Sequence, residues 1–536
     1  MADSPRPPSG ERGEAAASAP GVHGAALARG AFLNTVALAV ASLRAVFTLL
    51  VARLLGSSVL GIFGVAWATT DLVSKISTFG LETSATTFVA RADGSGDRAG
   101  AVRITRVSLA IGIGLSIASA VVGFSIYQRV AAGTTDRPEL LRATAVALLA
   151  LPGVALYRIS NAVSRGMAVM HHDIYSRGLT DNAATTAALL LALAVGVDRV
   201  LAPEIAVVVG SFASGGVAYL FARRLFGSGD RATGGGAANV RALVRDSATI
   251  SAYDFLNVGL MQIDIIMLGL FVGRVPSVTL ASVGIYAAAA EVAGGLRKVN
   301  QAFGPMFMTT VARQIGGRDI RGAEASYGLV ARWMLAVLLP ALVVVGLASR
   351  TIMSIFGRDF ASGAAWLSVL AISCALNGFV GLGETILAIE QPRMNLLNAI
   401  VTTAVAIAFN LVLILRFGPL GAAIGMLVPS SLYAVLRGVE IGWLLDWRWP
   451  WRSLSKPVVA AGLALPVGLA IRIAGPATSI EIAAAVAFLV AYVIAWSRIG
   501  LEEVDRQTLV RSGRLGAWVL RVLWGRGAQD AEMRER

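Results

Sequence analysis

Cysteine, histidine and charge are all scarce in this chain, and each shortage excludes a class of protein. The 536 residues contain one cysteine, Cys374, so no disulfide can form within the chain and no cysteine cluster can hold a metal. The run His171-His172-Asp173 has no other ligand cluster beside it, and we interpret it as a solvated loop. Charged residues make up only 15% of the chain, too few for a soluble protein of this length.

Apolar sequence takes the place of the missing charge. Apolar residues make up 56% of the chain, and mean hydropathy is +0.71. A chain that faces lipid needs this composition because lipid solvates no polar group. Apolar segments of about 20 residues, long enough to cross about 30 Å of hydrocarbon, recur along the sequence. We therefore predict an all-α, polytopic membrane protein of about fourteen transmembrane helices. The predicted spans are 31–54, 59–82, 104–127, 140–163, 176–196, 203–224, 248–272, 280–303, 327–348, 362–388, 394–415, 419–444, 457–474 and 479–497.

The basic residues are concentrated in the connections on one side of the membrane. A net charge of +14 suggests nucleic acid as a partner of a soluble protein, but in a membrane protein it indicates topology instead. The connections 88–106, 222–246 and 296–326 each hold several Arg or Lys residues, whereas the opposite connections hold one or two, such as Arg199 and Arg274. This pattern predicts a multi-pass protein of the cell inner membrane with both termini in the cytoplasm, and no nucleic-acid partner.

Reporter fusions test this topology. Fusions at residues 135, 200 and 275 are expected to report outside, and fusions at 95, 235 and 315 inside, because basic connections stay in the cytoplasm. Alkaline phosphatase activity and fluorescence of a cytoplasm-dependent reporter measure the two sides. An inverted pattern, or an odd number of crossings, would contradict the predicted fourteen-helix topology.

An internal repeat of about 220 residues accompanies the helices. Gly61-Ile62-Phe63 and Lys75 have counterparts in Gly284-Ile285-Tyr286 and Lys298. The offset equals six predicted helices, which favours two parallel six-helix lobes with a substrate path between them. The predicted domains are a disordered tail at 1–28, an N-lobe at 29–225, a linker at 226–246, a C-lobe at 247–445, two added helices at 446–500 and a basic cytoplasmic tail at 501–536.

Ionisable residues at membrane depth are costly, so each is a functional candidate. Arg44 lies midway along the first span, and under the repeat it occupies the place equivalent to Asp264. We expect these two residues to face each other. Asp71 and Lys75, an i,i+4 pair in the favourable order, are expected to satisfy each other's charge.

Two further candidates, Glu291 and Lys298, lie in the eighth span. Polar stripes on several helices indicate a hydrated interior, although ion pairs that only fix helix packing would give a similar pattern. No Walker loop is present, so ATP is not the direct energy source. No Ser/His/Asp or His/Cys cluster is placed to react. The sequence therefore predicts a transporter without catalytic residues, cofactor or metal.

Two stretches of sequence resemble a known family. Residues 49–63, Leu-Leu-Val-Ala-Arg-Leu-Leu-Gly-Ser-Ser-Val-Leu-Gly-Ile-Phe, with Phe79-Gly80-Leu81-Glu82-Thr83 after them, resemble the start of the Wzx-type O-antigen flippases. These bacterial polysaccharide exporters belong to the multidrug/oligosaccharidyl-lipid/polysaccharide exporter superfamily. The sequence-specific part of the resemblance is confined to the first two helices, whereas helix number and layout match over nearly the whole chain.

The resemblance implies a cavity between two lobes that opens alternately to each side. It implies undecaprenyl diphosphate carrying a short oligosaccharide as substrate, and coupling to a sodium or proton gradient. Cationic residues would bind the diphosphate, which suggests Arg44, Lys75 and Lys298, since Arg suits phosphate geometry. Acidic residues would bind the coupling cation, which suggests Asp71, Asp264 and Glu291. Membrane lipids, a polysaccharide polymerase and chain-length proteins are the candidate partners.

Several alternatives stay open beside this interpretation. A multidrug or other lipid exporter of the same superfamily is the first, although basic residues in the cavity argue mildly against a drug exporter. Lipid II flippases usually show Arg–Asp pairs near the first helices, and none is evident in the first two. A polytopic sugar-polymer enzyme would need a large outer loop, but the outer connections are short. A scaffold or receptor would not need mid-membrane charges of both signs.

Overall fold

Helices account for the regular structure of this chain. The computed structural model describes residues 44–133, 138–226, 240–445, 447 and 451–500, and no strand occurs among them. The predicted tails at 1–28 and 501–536 and most of the linker at 226–246 lie outside the described residues. The chain is an all-α, multi-pass membrane protein, as predicted.

The helices fall into three groups along the chain. The N-terminal half contains α1 (Arg44–Leu55), α2 (Ser57–Ser77), α3 (Leu81–Gly94), α4 (Arg98–Gly133), α5 (Pro138–Ala147), α6 (Leu151–Gly166), α7 (Asp181–Ala194) and α8 (Ala202–Arg224). The C-terminal half contains α9 (Val240–Phe271), α10 (Leu280–Gly316), α11 (Ile320–Leu347), α12 (Ser349–Ser354), α13 (Ala364–Glu390) and α14 (Pro392–Leu445). Two further helices, α15 (Trp451–Arg472) and α16 (Thr478–Ala495), follow.

Ten helical segments of the described chain are long and apolar enough to cross a membrane. One of them, Arg393–Leu444, contains two of the predicted spans, because α14 breaks at Gly418 (φ 57°, ψ −134°) just before Pro419. Three predicted spans are not among the ten. Span 31–54 begins outside the described residues, 176–196 contains Arg177 and Asp181, and 280–303 carries three charges between 291 and 298. These last two segments are nevertheless helical, and their charges lower the hydropathy that identifies a span.

The two halves touch where α2 crosses α10, at the end of the molecule predicted to face outside. A Cβ on Gly61 would strike the backbone oxygen of Leu280, and a Cβ on Gly284 would strike that of Ser57. The contact is therefore reciprocal between residues that the repeat makes equivalent. Glycine lets two helix backbones meet at this distance. The crossing follows the two-fold relation that two parallel repeats require.

A second contact between the halves lies at the other end of α2. Phe79 (φ 53°) and Gly80 (φ 65°) form a sharp elbow before α3. A Cβ on Gly80 would strike the backbone oxygen of Ser247 in α9, and the hydroxyls of Ser84 and Ser247 are 2.5 Å apart. Only glycine combines this backbone conformation with so close a neighbour. Helix α2 and its elbow therefore touch the C-terminal half at both membrane faces.

The last two helices pack on the C-terminal half rather than between the halves. Helices α15 and α16 contact each other and α11. Fully buried Glu481 of α16 accepts a hydrogen bond from Arg472 at 2.8 Å and another from the backbone N–H of Thr351 in α12, also at 2.8 Å. These bonds satisfy a charge that would be costly to leave unpaired in the interior. The domain limits themselves stay a prediction.

Candidate functional site

A cavity of about 400 Å³ lies between the two halves and begins at the helix crossing. Its walls come from α1, α2, α6, α7 and the residues just before α7 in the N-terminal half, and from α9, α10, α13 and α14 in the C-terminal half. Leu60, Phe63 and Gly64 line the part next to the crossing, and Trp67 and Asp71 lie deeper. Cavities of a few hundred cubic ångströms are typical of small-ligand sites.

Charged side chains of both signs line this cavity, and cations outnumber acids. Its cations are Arg44, Arg158, Arg177, Arg297 and Lys298. Its acids are Asp71, Asp181, Asp264 and Glu291. Amide side chains and aromatic rings fill much of the remaining wall: Asn182, Gln262, Gln301, Asn377, Trp67 and Tyr157. Such a wall offers donors and acceptors that can replace the hydration of a polar ligand.

Arg44 stacks on an aromatic ring and interacts electrostatically with Asp181. Its guanidinium carbon lies 4.0 Å from the centre of the Trp67 ring, a cation–π contact. Its Nη2 is buried and has no hydrogen-bond partner in the described part of the chain. Stacking fixes the plane of the guanidinium while leaving Nη2 free to donate, which is the state an anionic ligand would use.

Arg158 joins the two halves through Asp71. Its Nη2 donates to Asp71 Oδ1 at 2.9 Å, and Gln262 Nε2 of α9 donates to Asp71 Oδ2 at 3.3 Å. The Arg158 side chain is 10% exposed, and its Nη1 is buried without a partner among the described residues. One donor of this nearly buried cation therefore remains available at the cavity wall.

A local change of helix type places two charges in the cavity. Residues Ile174–Thr180 form a π-helix directly before α7. Such segments are rare and often occur at functional sites, since they shift the register of the helix. Arg177 and Asp181 both line the cavity, and Arg177 is exposed there.

The acids of the C-terminal half have different partners. Asp264 is 3% exposed, accepts a hydrogen bond from the Tyr286 hydroxyl at 2.6 Å and another from the backbone N–H of Ile265 at 2.8 Å. Glu291 lies 3.9 Å from Lys298 on the same helix. Asp264 thus has neutral donors as its hydrogen-bond partners, whereas Glu291 has a cation.

The structure changes the partners expected for two pairs of charged residues. Arg44 and Asp264 line the same cavity but do not pair, since Arg44 stacks on Trp67 and Asp264 binds Tyr286. Asp71 and Lys75 do not pair either. Asp71 binds Arg158, and Lys75 lies 3.9 Å from Glu82. Sequence spacing within one helix could not show that neighbouring helices supply closer partners.

The structure brings five of the six predicted site residues to one cavity: Arg44, Asp71, Asp264, Glu291 and Lys298. Lys75 lies one helical turn beyond Asp71 and outside the lining. Sequence reasoning missed Arg158, Arg177 and Arg297. The signal for Arg158 was present, because it is an arginine inside the apolar run 140–163.

Sequence comparison decides the family. The family model described as polysaccharide biosynthesis protein matches residues 27–309, more than half of the chain. The chain belongs to this family. The matched polysaccharide biosynthesis region includes the crossing helix α2, most of α10 and all five cations that line the cavity. No curated protein sequence matches the chain.

Solved structures share the fold at low sequence identity. A multidrug resistance transporter of the MATE family in an inward-facing conformation superimposes with a TM-score of 0.62 and 13% identity, covering 77% of this chain and 98% of its own. The lipid II flippase MurJ in an inward closed conformation gives 0.62 and 12%, covering 87% and 98%. A MOP-superfamily transporter from Pyrococcus furiosus gives 0.53 and 16%, covering 79% and 96%. This member of the polysaccharide biosynthesis family therefore has the fold of MOP-superfamily transporters.

Proposed function

We propose that this protein is a flippase for a lipid-linked oligosaccharide. It moves undecaprenyl-diphosphate-linked sugar from the cytoplasmic to the outer leaflet of the bacterial inner membrane. The cavity between the halves alternates its opening between the two sides. Family membership supports polysaccharide biosynthesis as the process, and a polar cavity inside a membrane fold supports transport.

The observation that carries this proposal is the pair of arginines with free donors. Arg44 and Arg158 each present a buried guanidinium nitrogen without a partner among the described residues. An arginine binds phosphate through two parallel hydrogen bonds. A diphosphate headgroup in the cavity would satisfy both donors, while the amides Asn182, Gln262 and Gln301 would meet sugar hydroxyls.

A multidrug exporter of the same fold is the second candidate. Its substrates are largely apolar or cationic, so its cavity would need apolar walls and free acids. Here the lining has more cations than acids, and Asp71 and Glu291 are already bound to cations. The charge balance of the cavity favours an anionic substrate over a cationic drug.

Reconstitution tests the proposed function. The purified full chain in proteoliposomes is expected to move undecaprenyl diphosphate carrying one fluorescent sugar across the bilayer without ATP, since the sequence has no nucleotide motif. Quenching of the sugar by a membrane-impermeant reagent measures the fraction moved. Movement of a cationic dye but not of this lipid, or strict dependence on ATP hydrolysis by the purified protein, would refute the proposal.

Cation coupling is proposed to depend on Asp264. Of the three predicted coupling acids, Asp71, Asp264 and Glu291, Asp264 alone is hydrogen-bonded only by neutral donors, so no ion pair has to break before it binds sodium or a proton. Asp264→Asn keeps the shape and the bond to Tyr286 but removes the charge. The flipping rate of this variant is expected to lose its response to a sodium or proton gradient, so that the rates with and without the gradient become equal.

The matched control for this prediction is Glu291→Gln, which removes an acid already bound to Lys298. This control is expected to keep its gradient response. Initial rates with and without an imposed gradient measure both variants. A gradient response in Asp264→Asn equal to that of the parent would exclude Asp264 as the coupling residue.

A further inference from the structure

A second charged cluster lies outside the cavity lining, at the inner end of the N-terminal half. Glu82, in the first turn of α3, lies between two cations. Lys75 Nζ is 3.9 Å from its Oε2, and Arg165 Nη2 is 3.4 Å from its Oε1. Arg165 also lies 3.7 Å from Asp173. We call Lys75, Glu82 and Arg165 the inner cluster.

The contacts within the inner cluster are long, and its side chains are partly exposed. Charge-assisted hydrogen bonds are usually about 2.7–2.9 Å long, and the Arg158–Asp71 contact has this length. The two contacts of Glu82, at 3.4 and 3.9 Å, are at least 0.5 Å longer than the Arg158–Asp71 contact. The side chains of Lys75, Glu82 and Arg165 are 16%, 27% and 25% exposed. Lys75 and Arg165 also have Asp254 and Asp173 as acidic neighbours, so both cations can exchange Glu82 for another anion without the cluster being dismantled.

The inner cluster leads directly to the cavity. Arg158 and Arg165 are seven residues apart on α6, which places them on one face about 10 Å apart along the axis. Arg177, which lines the cavity, interacts electrostatically with both Glu82 and Arg158. The cations of the N-terminal half thus form a series from the inner end of the molecule to the cavity.

We propose that the inner cluster is a second anion site, at which the diphosphate of the lipid-linked substrate binds before it enters the cavity. This proposal rests on the proposed function. Phosphate oxygens replace the Glu82 carboxylate, with Arg165 as a two-bond donor and Lys75 as a point charge. When the diphosphate moves on to Arg177 and Arg158, Glu82 returns to both cations, so the site releases its ligand rather than trapping it.

Flipping kinetics in proteoliposomes separate this site from the cavity. The probe is undecaprenyl diphosphate carrying one fluorescent sugar, varied in surface density. Arg165→Gln is expected to raise the half-saturating density about tenfold, the loss of roughly one charged contact, with the maximal rate kept. Glu82→Gln is expected to lower the half-saturating density, because it removes the competing carboxylate.

Two control variants make the result specific. Arg165→Lys keeps the charge, and with it the partnership with Glu82 and Asp173, so it guards against a folding defect and should give an intermediate half-saturating density. Arg106→Gln removes an exposed arginine of α4 outside the cluster and should match the parent. If Glu82→Gln and Arg165→Gln both raise the half-saturating density, the cluster is a packing device and the proposal is wrong.

The same experiment distinguishes failure of the site from failure of the function. If the parent flips normally and Arg165→Gln has the same half-saturating density as the parent, the inner site is wrong but the proposed flippase function is not. Absence of flipping by the parent itself overturns both.

Competition experiments with other anions show which anion the inner cluster recognises. Free pyrophosphate on the side of the inner cluster is expected to inhibit the parent competitively and Arg165→Gln more weakly. Replacing neutral lipid by phosphatidylglycerol is expected to leave the half-saturating density unchanged. If phosphatidylglycerol raises that density in the parent but not in Arg165→Gln, the cluster binds bulk anionic lipid and the proposal fails.

Discussion

Oxidation of a Gly64→Cys/Ala287→Cys double variant is expected to stop transport. A Cβ on Gly64 would lie 3.1 Å from the Ala287 Cβ across the helix crossing, so two cysteines there need only a small shift to reach disulfide geometry. Opening the cavity toward the predicted outer side must separate α2 from α10 at this place. The flipping rate should fall by about tenfold or more, since a disulfide outlasts the microsecond-to-second motions of transporters. Reduction should restore it.

A disulfide within one half is the matched control. A Cβ on Gly215 would also lie 3.1 Å from the Leu156 Cβ, but both residues belong to the N-terminal half. The Gly215→Cys/Leu156→Cys variant should transport equally well oxidised and reduced. Both variants are made with Cys374→Ala, which removes the only natural cysteine. If the fully cross-linked Gly64→Cys/Ala287→Cys variant flips lipid at the rate of the parent, the helix crossing does not have to open during transport.

Arg44→Ala is expected to abolish flipping while membrane abundance stays near that of the parent. Arg44 stacks on an aromatic ring, and Asp181, the acid with which it interacts electrostatically, keeps Arg177 as a second cation when the guanidinium is removed. A lost charged hydrogen-bond pair is worth about 1.5–3 kcal/mol, or roughly 10- to 100-fold in substrate affinity. Arg44→Lys keeps the charge but not the two-bond geometry, and should be impaired as well.

The contrasting variant is Arg158→Ala, which leaves the partly buried Asp71 without its closest cation and should lower abundance. Adding Asp71→Asn should restore abundance to the Arg158→Ala protein. Adding Asp264→Ala to Arg44→Ala should restore nothing, because these two residues do not pair. Immunoblotting of membranes beside the flipping assay measures both quantities. Full activity of Arg44→Ala at equal abundance would exclude Arg44 from substrate binding.

Much of the fold follows from the sequence because lipid imposes a simple rule. Each apolar run of about 20 residues has to satisfy its backbone internally, so it becomes a helix. The repeat of Gly61-Ile62-Phe63 at Gly284-Ile285-Tyr286 already indicated two parallel halves, and these glycines form the reciprocal crossing. Segment 280–303 was the least apolar of the predicted spans because Glu291, Arg297 and Lys298 face the cavity rather than lipid.

The candidate site was less predictable than the fold. An arginine at membrane depth could be recognised as a candidate, but its partner could not, because that partner comes from another helix. Asp71 shows the difficulty: its neighbour in sequence is Lys75, whereas its neighbours in space are Arg158 and Gln262, 87 and 191 residues away. The π-helix that brings Arg177 to the cavity has no recognisable sequence pattern.

Because α2 and its elbow contact the C-terminal half at both membrane faces, bilayer thickness affects how the two halves pack against each other. Gly61 touches α10 and the elbow residue Gly80 touches α9, and α2, with its 21 residues, is about 30 Å long, close to the hydrocarbon thickness of a bilayer. A membrane that is thicker or thinner than this length tilts the helix, at a modest energy per ångström of mismatch. Tilting α2 presses the helices together at one contact and separates them at the other. Lipid chain length therefore acts on the balance between the two contacts without touching the substrate.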